Sequence, residues 1–147
     1  MTKMATKRKT GSPRTRLRPV LVVAVTTVMV NLAVWLIGLA ANADYRVGMG
    51  GQAITITPVH VVLTTLVALA LGGLAFTLTR RWGPAASRRL AVAGGTVGVL
   101  SASTPIMQAE AEPVTTVALA TMHILTGAIW FVALWRANAS EPAWTRW

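Results

Sequence analysis

Residues 20–41 read VLVVAVTTVMVNLAVWLIGLAA, a run of 22 residues without a charged side chain. At about 1.5 Å per residue, a helix of this length crosses a hydrocarbon core about 30 Å thick. Three further apolar runs, at residues 58–79, 90–107 and 113–135, are similar in length and composition. The sequence therefore predicts an all-α integral membrane protein, a bundle of four transmembrane helices that occupies residues 19–136.

The charged residues are distributed unequally among the links between these helices. Thirteen of the 14 Lys and Arg residues lie before the first run, between the second and third runs or after the fourth run, and only Arg46 lies elsewhere. Three of the four acidic residues lie in the opposite links. Because Lys and Arg keep short loops in the cytoplasm during insertion, both termini are predicted to be cytoplasmic. The bias towards Ala, Val, Arg, Gly and Thr is typical of a GC-rich bacterial genome, so we expect the bacterial cytoplasmic membrane.

Composition also indicates the partners of the chain. The formal net charge is +10, and 54% of the residues are hydrophobic. Because the basic residues form short segments beside apolar runs, we expect them to contact anionic lipid headgroups and not nucleic acid. The chain has no cysteine, which excludes disulfide bonds, thiolate metal sites and thiol catalysis.

The links carry local signals of their own. Residues 1–18 are polar and basic and are expected to form a disordered tail, and residues 137–147 are expected to lie on the membrane surface through their tryptophans. In residues 42–57, the alternation of Ile and Thr after a glycine-rich segment predicts a short outer β-hairpin between the first two helices. Pro58 and Pro113 suit the first turns of the second and fourth helices.

The end of the first run allows a second interpretation. Ala41, Asn42 and Ala43 have the small residues of a signal-peptidase site. The apolar region of a signal peptide is about 7–15 residues long, shorter than this run, so we expect the first helix to be retained.

Four polar residues within the predicted spans form a candidate intramembrane cluster: Asn31, Ser101, Thr104 and His123. Polar groups are costly in a membrane and therefore mark candidate functional positions. Counted along their helices at about 1.5 Å per residue, Asn31 and His123 both fall near the bilayer midplane. We expect these two side chains to hydrogen-bond across the first and fourth helices as a structural contact. A proton relay is the alternative.

Glycines are the candidates for close helix packing. Gly94 and Gly98 have the spacing that lets membrane helices approach each other, and Gly72 and Gly73 on the second helix are expected to face them. Packing within one chain is favoured over a homodimer or a partner helix, which both stay open.

A haem site is a further possibility, because His60 and His123 fall in or beside the spans. His60 follows Pro58 by two residues and His123 follows Pro113 by ten, so the two imidazoles differ in depth by about 12 Å. One haem cannot bind both at that offset, and we expect no cofactor.

No pattern in the sequence supports an enzyme. There is no Ser-His-Asp set, no paired carboxylate within a span, no metal-ligand spacing and no phosphate-binding glycine loop. The leading hypothesis is a non-enzymatic structural or accessory membrane component. The alternatives are a small-solute transporter or channel subunit with a polar interior, and a b-type haem electron carrier.

Short motifs in the third and fourth helices carry a resemblance to a known family. Leu100-Ser101, Pro105 and Met122-His123 follow a basic inner link that contains Trp82. In these features the chain resembles the actinobacterial four-helix membrane proteins of the DUF6069 family. The resemblance implies a small integral membrane protein, carries no activity with it, and singles out Ser101, Pro105 and His123 as positions to test.

Overall fold

A computed structural model describes residues 13–49, 52–107 and 112–139. Its elements, in chain order, are α1 (Pro13–Ala40), β1 (Arg46–Met49), β2 (Gln52–Thr55), α2 (Pro58–Thr79), a 3₁₀ turn (Arg80–Trp82), α3 (Pro84–Ser101), α4 (Ser103–Met107) and α5 (Pro113–Ala139).

The prediction of a mostly helical protein with four packed, membrane-length apolar helices is confirmed. Four helical stretches are long and apolar enough to cross a membrane: Pro19–Ala40, Pro58–Trp82, Pro84–Met107 and Pro113–Ala137. Large apolar side chains on their outer faces, such as Leu21, Leu63 and Val117, are more than half exposed. That is the surface that a bundle presents to lipid.

Helix α5 occupies the centre of the packing. It contacts α3 most extensively and also packs on α1 and α4, whereas α2 packs mainly on α1 and touches α3 over a small area. The bundle is therefore loosely closed between α2 and α3.

The link between α2 and α3 is shorter than predicted. Gly83 has a φ of 88°, a left-handed value that glycine adopts without strain, and it reverses the chain. Pro84 then begins α3 at a position that needs no backbone N–H donor. Arg88 and Arg89, expected in a loop, consequently lie on the first turns of α3. We call this end of the bundle, with Arg80, Arg81, Arg88, Arg89 and Arg136, the basic end.

The third span, predicted over residues 90–107 with a kink or an end at Pro105, is interrupted. It breaks at Ala102 between α3 and α4. Pro105 has no N–H to donate to the carbonyl of the preceding turn. Close to the break, the hydroxyls of Ser101 and Ser103 donate to the carbonyls of Gly98 (3.0 Å) and Leu100 (2.6 Å).

Residues 41–57 contain the predicted hairpin, and this end of the bundle is called the hairpin end. Helix α1 stops in a Schellman turn: Asn42 has a φ of 66°, and the N–H of Ala43 donates to Gly38 at 2.9 Å. β1 and β2 then pair antiparallel, with Arg46 opposite Thr55 and Val47 opposite Ile54.

Tyr45 fixes the hairpin to the helices. Its side chain is 1% exposed and lies in the main apolar cluster of the protein with Ala43, Val61, Ala118 and Met122. The phenol stacks on Trp35 with the ring centroids 5.4 Å apart and donates to the Trp35 carbonyl at 2.8 Å. A two-stranded hairpin is marginal alone, so this buried side chain supplies the packing that holds it.

Because Gly38 has no side chain, it leaves the space that the Tyr45 hydroxyl occupies. A Cβ on Gly38 would overlap the Tyr45 hydroxyl, whereas a Cβ on Gly73 would meet no atom within 4 Å. Gly38→Ala is expected to lower the free energy of unfolding by about 1–3 kcal/mol, and Gly73→Ala to raise it by up to about 1 kcal/mol. Thermal unfolding of both variants in the same detergent checks this. Equal midpoints for the two variants would show that Tyr45 does not occupy that space.

Candidate functional site

A cavity of about 700 Å³ lies where α2 and α3 fail to close on each other. Residues of α2, α3, α4 and α5 line it, and α1 contributes Asn31. Val47 and Ile56 border it at the hairpin end, while Leu90 and Trp130 border it towards the basic end.

All four residues of the predicted polar cluster line this cavity: Asn31, Ser101, Thr104 and His123. Four other polar residues join them on the wall: His60, Thr64, Thr65 and Thr126. Sequence reasoning missed Thr65 and Thr126, because threonine is common in membrane helices, where its hydroxyl often bonds to its own backbone. Spacing alone does not show which threonines turn inwards.

The side chain of Asn31 joins three helices. It is 3% exposed, and its Nδ2 donates to the hydroxyls of Thr65 on α2 and Thr126 on α5, each at 2.9 Å. Its Oδ1 is buried and has no hydrogen-bond partner in the described part of the chain. We call Asn31, Thr65 and Thr126 the amide cluster.

The expected hydrogen bond between Asn31 and His123 is not formed. His123 bonds within its own helix, through Nδ1 to the carbonyl of Leu119 at 2.8 Å. A carbonyl only accepts, so Nδ1 carries the hydrogen in this contact, and in a neutral imidazole Nε2 is then an acceptor. The carbonyl one turn earlier is the nearest acceptor for this ring nitrogen, while Thr126 takes the position facing Asn31.

The wall of the cavity changes from polar to apolar along the membrane normal. The polar side chains on the wall all lie in the half of the cavity nearer the hairpin end, from the bilayer midplane towards the hairpin. Towards the basic end the wall consists of apolar side chains and glycine, including Leu71, Ala75, Leu90, Ala93, Val97 and Trp130. The site is therefore amphipathic, and no Asp, Glu, Lys or Arg within the described ranges lines it.

Three of the four candidate packing glycines face α5 instead of one another. A Cβ on Gly72 would lie 2.8 Å from the Trp130 ring, and one on Gly94 would overlap the Trp130 indole nitrogen. A Cβ on Gly98 would lie 2.6 Å from the Cα of Gly127. Gly73 has open space around it. The indole of Trp130 therefore separates α2 from α3, which explains why the expected direct contact between their glycines is absent.

A second polar network lies at the hairpin end, where α5 begins. The carboxylate of Glu112 accepts the N–H groups of Val114 (3.0 Å) and Thr115 (3.1 Å) and so caps the helix. The Thr115 hydroxyl contacts Asp44 at 3.2 Å and accepts the N–H of Tyr45 at 3.0 Å. Burial raises the pKa of the Tyr45 phenol, so this phenol remains a hydrogen-bond donor at neutral pH. The network joins the hairpin to α5.

The two histidines have different environments. His60 is exposed, and its Nδ1 accepts the N–H of Thr57 at 3.2 Å, which caps the start of α2. His123 is partly buried in the middle of α5. Among the described residues, no group of three or more His, Cys, Asp or Glu side chains is arranged to hold a metal ion.

Comparison with known proteins places the chain in a family. Residues 11–140 match DUF6069, a family of unknown function. The chain belongs to the DUF6069 family. The match covers all four membrane-length helices and therefore the whole cavity of this DUF6069 protein. No curated protein and no solved structure matches the chain.

Proposed function

We propose that this DUF6069 protein is a non-enzymatic membrane protein that holds a small, uncharged and mainly apolar molecule inside the bilayer. The observation that carries the proposal is the cavity of about 700 Å³ between α2 and α3. Small-molecule sites are typically about 300–1,000 Å³, mostly apolar, with a few placed polar groups. The cavity has that size and that composition.

The volume favours a small molecule over a partner helix. A transmembrane helix about 10 Å wide and 30 Å long occupies roughly 2,400 Å³, several times the volume of the cavity. A partner helix packed on the outer surface, which would make the protein an accessory component, does not compete with a molecule inside it.

The composition of the wall favours binding over transport of ions or hydrophilic solutes. A hydrated path needs polar groups along its length, and the wall between the amide cluster and the basic end is apolar. A molecule that enters sideways from the lipid, between α2 and α3, needs no such path.

Ala68 and Ala70 provide a matched test of the cavity. Both are exposed positions on α2, and only Ala68 lines the cavity. With 2-dodecanone as an uncharged probe, native mass spectrometry of the full chain is expected to show one bound ketone. Ala68→Trp fills the space and should lower the affinity at least tenfold, a loss of about 1.4 kcal/mol, while Ala70→Trp should not.

Thermal unfolding of both variants controls for misfolding. Ketone binding that survives Ala68→Trp, or no binding by the native chain, would contradict the proposed function.

We propose further that the basic end faces the cytoplasm, with both termini inside the cytoplasmic membrane and arginines on anionic headgroups. The charge distribution supports this orientation. Because the native chain has no cysteine, single cysteines at Gln52 and Arg88 can be labelled without background. A maleimide that does not cross membranes should label intact cells carrying Gln52→Cys and not those carrying Arg88→Cys; the reverse pattern would invert the topology.

A further inference from the structure

The surrounding lipid limits what the apolar part of the cavity can select. Lipid tails are as apolar as the side chains on this wall, so a molecule gains little by moving its apolar body from the bilayer into the cavity. The polar groups on the wall must therefore supply most of the discrimination between one lipid-soluble molecule and another.

The amide cluster has unused hydrogen-bonding capacity at that wall. Each threonine hydroxyl has one hydrogen to donate and also accepts. Thr65 and Thr126 accept from Asn31, and among the described residues neither hydroxyl donates to a protein acceptor. Thr65 is 5% exposed, so bulk water does not serve it.

Several other described threonines already use their hydroxyl hydrogens. Thr64, one residue earlier on α2, also lines the cavity, but its hydroxyl donates to the carbonyl of His60 at 2.7 Å. Thr27, Thr79 and Thr121 likewise donate to carbonyls of their own helices. Thr65 and Thr126 each accept one bond from Asn31, and each keeps a hydrogen that an acceptor on a molecule in the cavity can take.

The acceptors beside the cluster restrict the charge of that occupant. Nε2 of His123, an acceptor in the neutral imidazole, lies about one helical turn from Thr126 and has no hydrogen-bond partner among the described residues. Oδ1 of Asn31 also has no hydrogen-bond partner in the described part of the chain. No arginine or lysine of the described chain reaches the cavity, so nothing there balances a carboxylate or a phosphate.

We propose that the amide cluster recognises a neutral oxygen, of a carbonyl or a hydroxyl group, on a lipid-soluble molecule. Thr65 and Thr126 donate to that oxygen, and a ligand hydroxyl would also donate to His123 Nε2. The apolar body of the ligand extends towards Trp130 and the basic end. This assignment rests on the proposed function, because it names the class of molecule that the same cavity holds.

Infrared spectroscopy of bound 2-dodecanone tests the proposal, in a detergent that contains no carbonyl group. A hydrogen bond to the ketone lowers its carbonyl stretching frequency below that of the ketone in empty micelles. The native chain is expected to show this lowered band, and the Thr65→Val/Thr126→Val double variant is expected to lose it in preparations that native mass spectrometry shows still bind the ketone.

Two variants control the experiment. Thr64→Val makes the same substitution on the same wall but removes a hydrogen that is already bonded, so it should keep the lowered band. Thr126→Ser retains the hydroxyl and should also keep it, and it supplies a folded comparison for the double variant.

The outcomes separate the two proposals. A bound ketone without a lowered band, or a lowered band that persists in the double variant because water donates to the ketone, would overturn the assignment to the amide cluster. Either result would leave the cavity as a binding site. No bound ketone at all would overturn the proposed function itself.

Discussion

The side-chain amide of Asn31 is the interaction on which the arrangement of the helices depends. In lipid, a buried polar group has no water to bond with, so it must find partners inside the protein. The Nδ2 of Asn31 finds two, Thr65 and Thr126, and these lie on different helices. One side chain of α1 thereby fixes the rotation and depth of both α2 and α5 near the midplane. It also brings two hydroxyls to the wall of the cavity.

The cavity forms because α2 is attached to α1 in one half of the bundle and is separated from α3 in the other half. The amide cluster and the hairpin attach α2 to α1 in one half of the bundle. In the other half the indole of Trp130 lies between Gly72 and Gly94 and separates α2 from α3. Helix α3 instead packs on α5, where Gly98 and Gly127 allow the backbones to approach. The space that remains is polar near the hairpin and apolar near the basic end, which is the pattern expected of a site for an amphipathic molecule.

The sequence predicted the helices better than their contacts. Apolar length and Pro58 and Pro113 located three spans to within a few residues, because those signals act along the chain. Pro105 marked the break in the third span. Arg88 and Arg89 were expected in a loop, but they lie on α3 because the reversal of the chain needs only Gly83. Asn31 was identified by its cost in a membrane, and the sequence did not indicate its partners, since many threonines occur in these spans and only the packing selects two. The hydrogen bond expected between Asn31 and His123 was wrong for the same reason: His123 has an acceptor in its own helix.

A double-mutant cycle on the amide cluster tests the central claim most directly. The free energy of unfolding is measured in one detergent for the native chain, Asn31→Leu, Thr126→Val and the combined variant, with His123→Leu as the control. Asn31→Leu is expected to cost about 1–3 kcal/mol, since it removes two interhelical hydrogen bonds of about 0.6–1.7 kcal/mol each. Asn31 and Thr126 should couple by at least about 0.5 kcal/mol, and His123→Leu should cost less than Asn31→Leu. Additive effects of Asn31→Leu and Thr126→Val, or a larger loss from His123→Leu, would show that the amide does not organise the bundle.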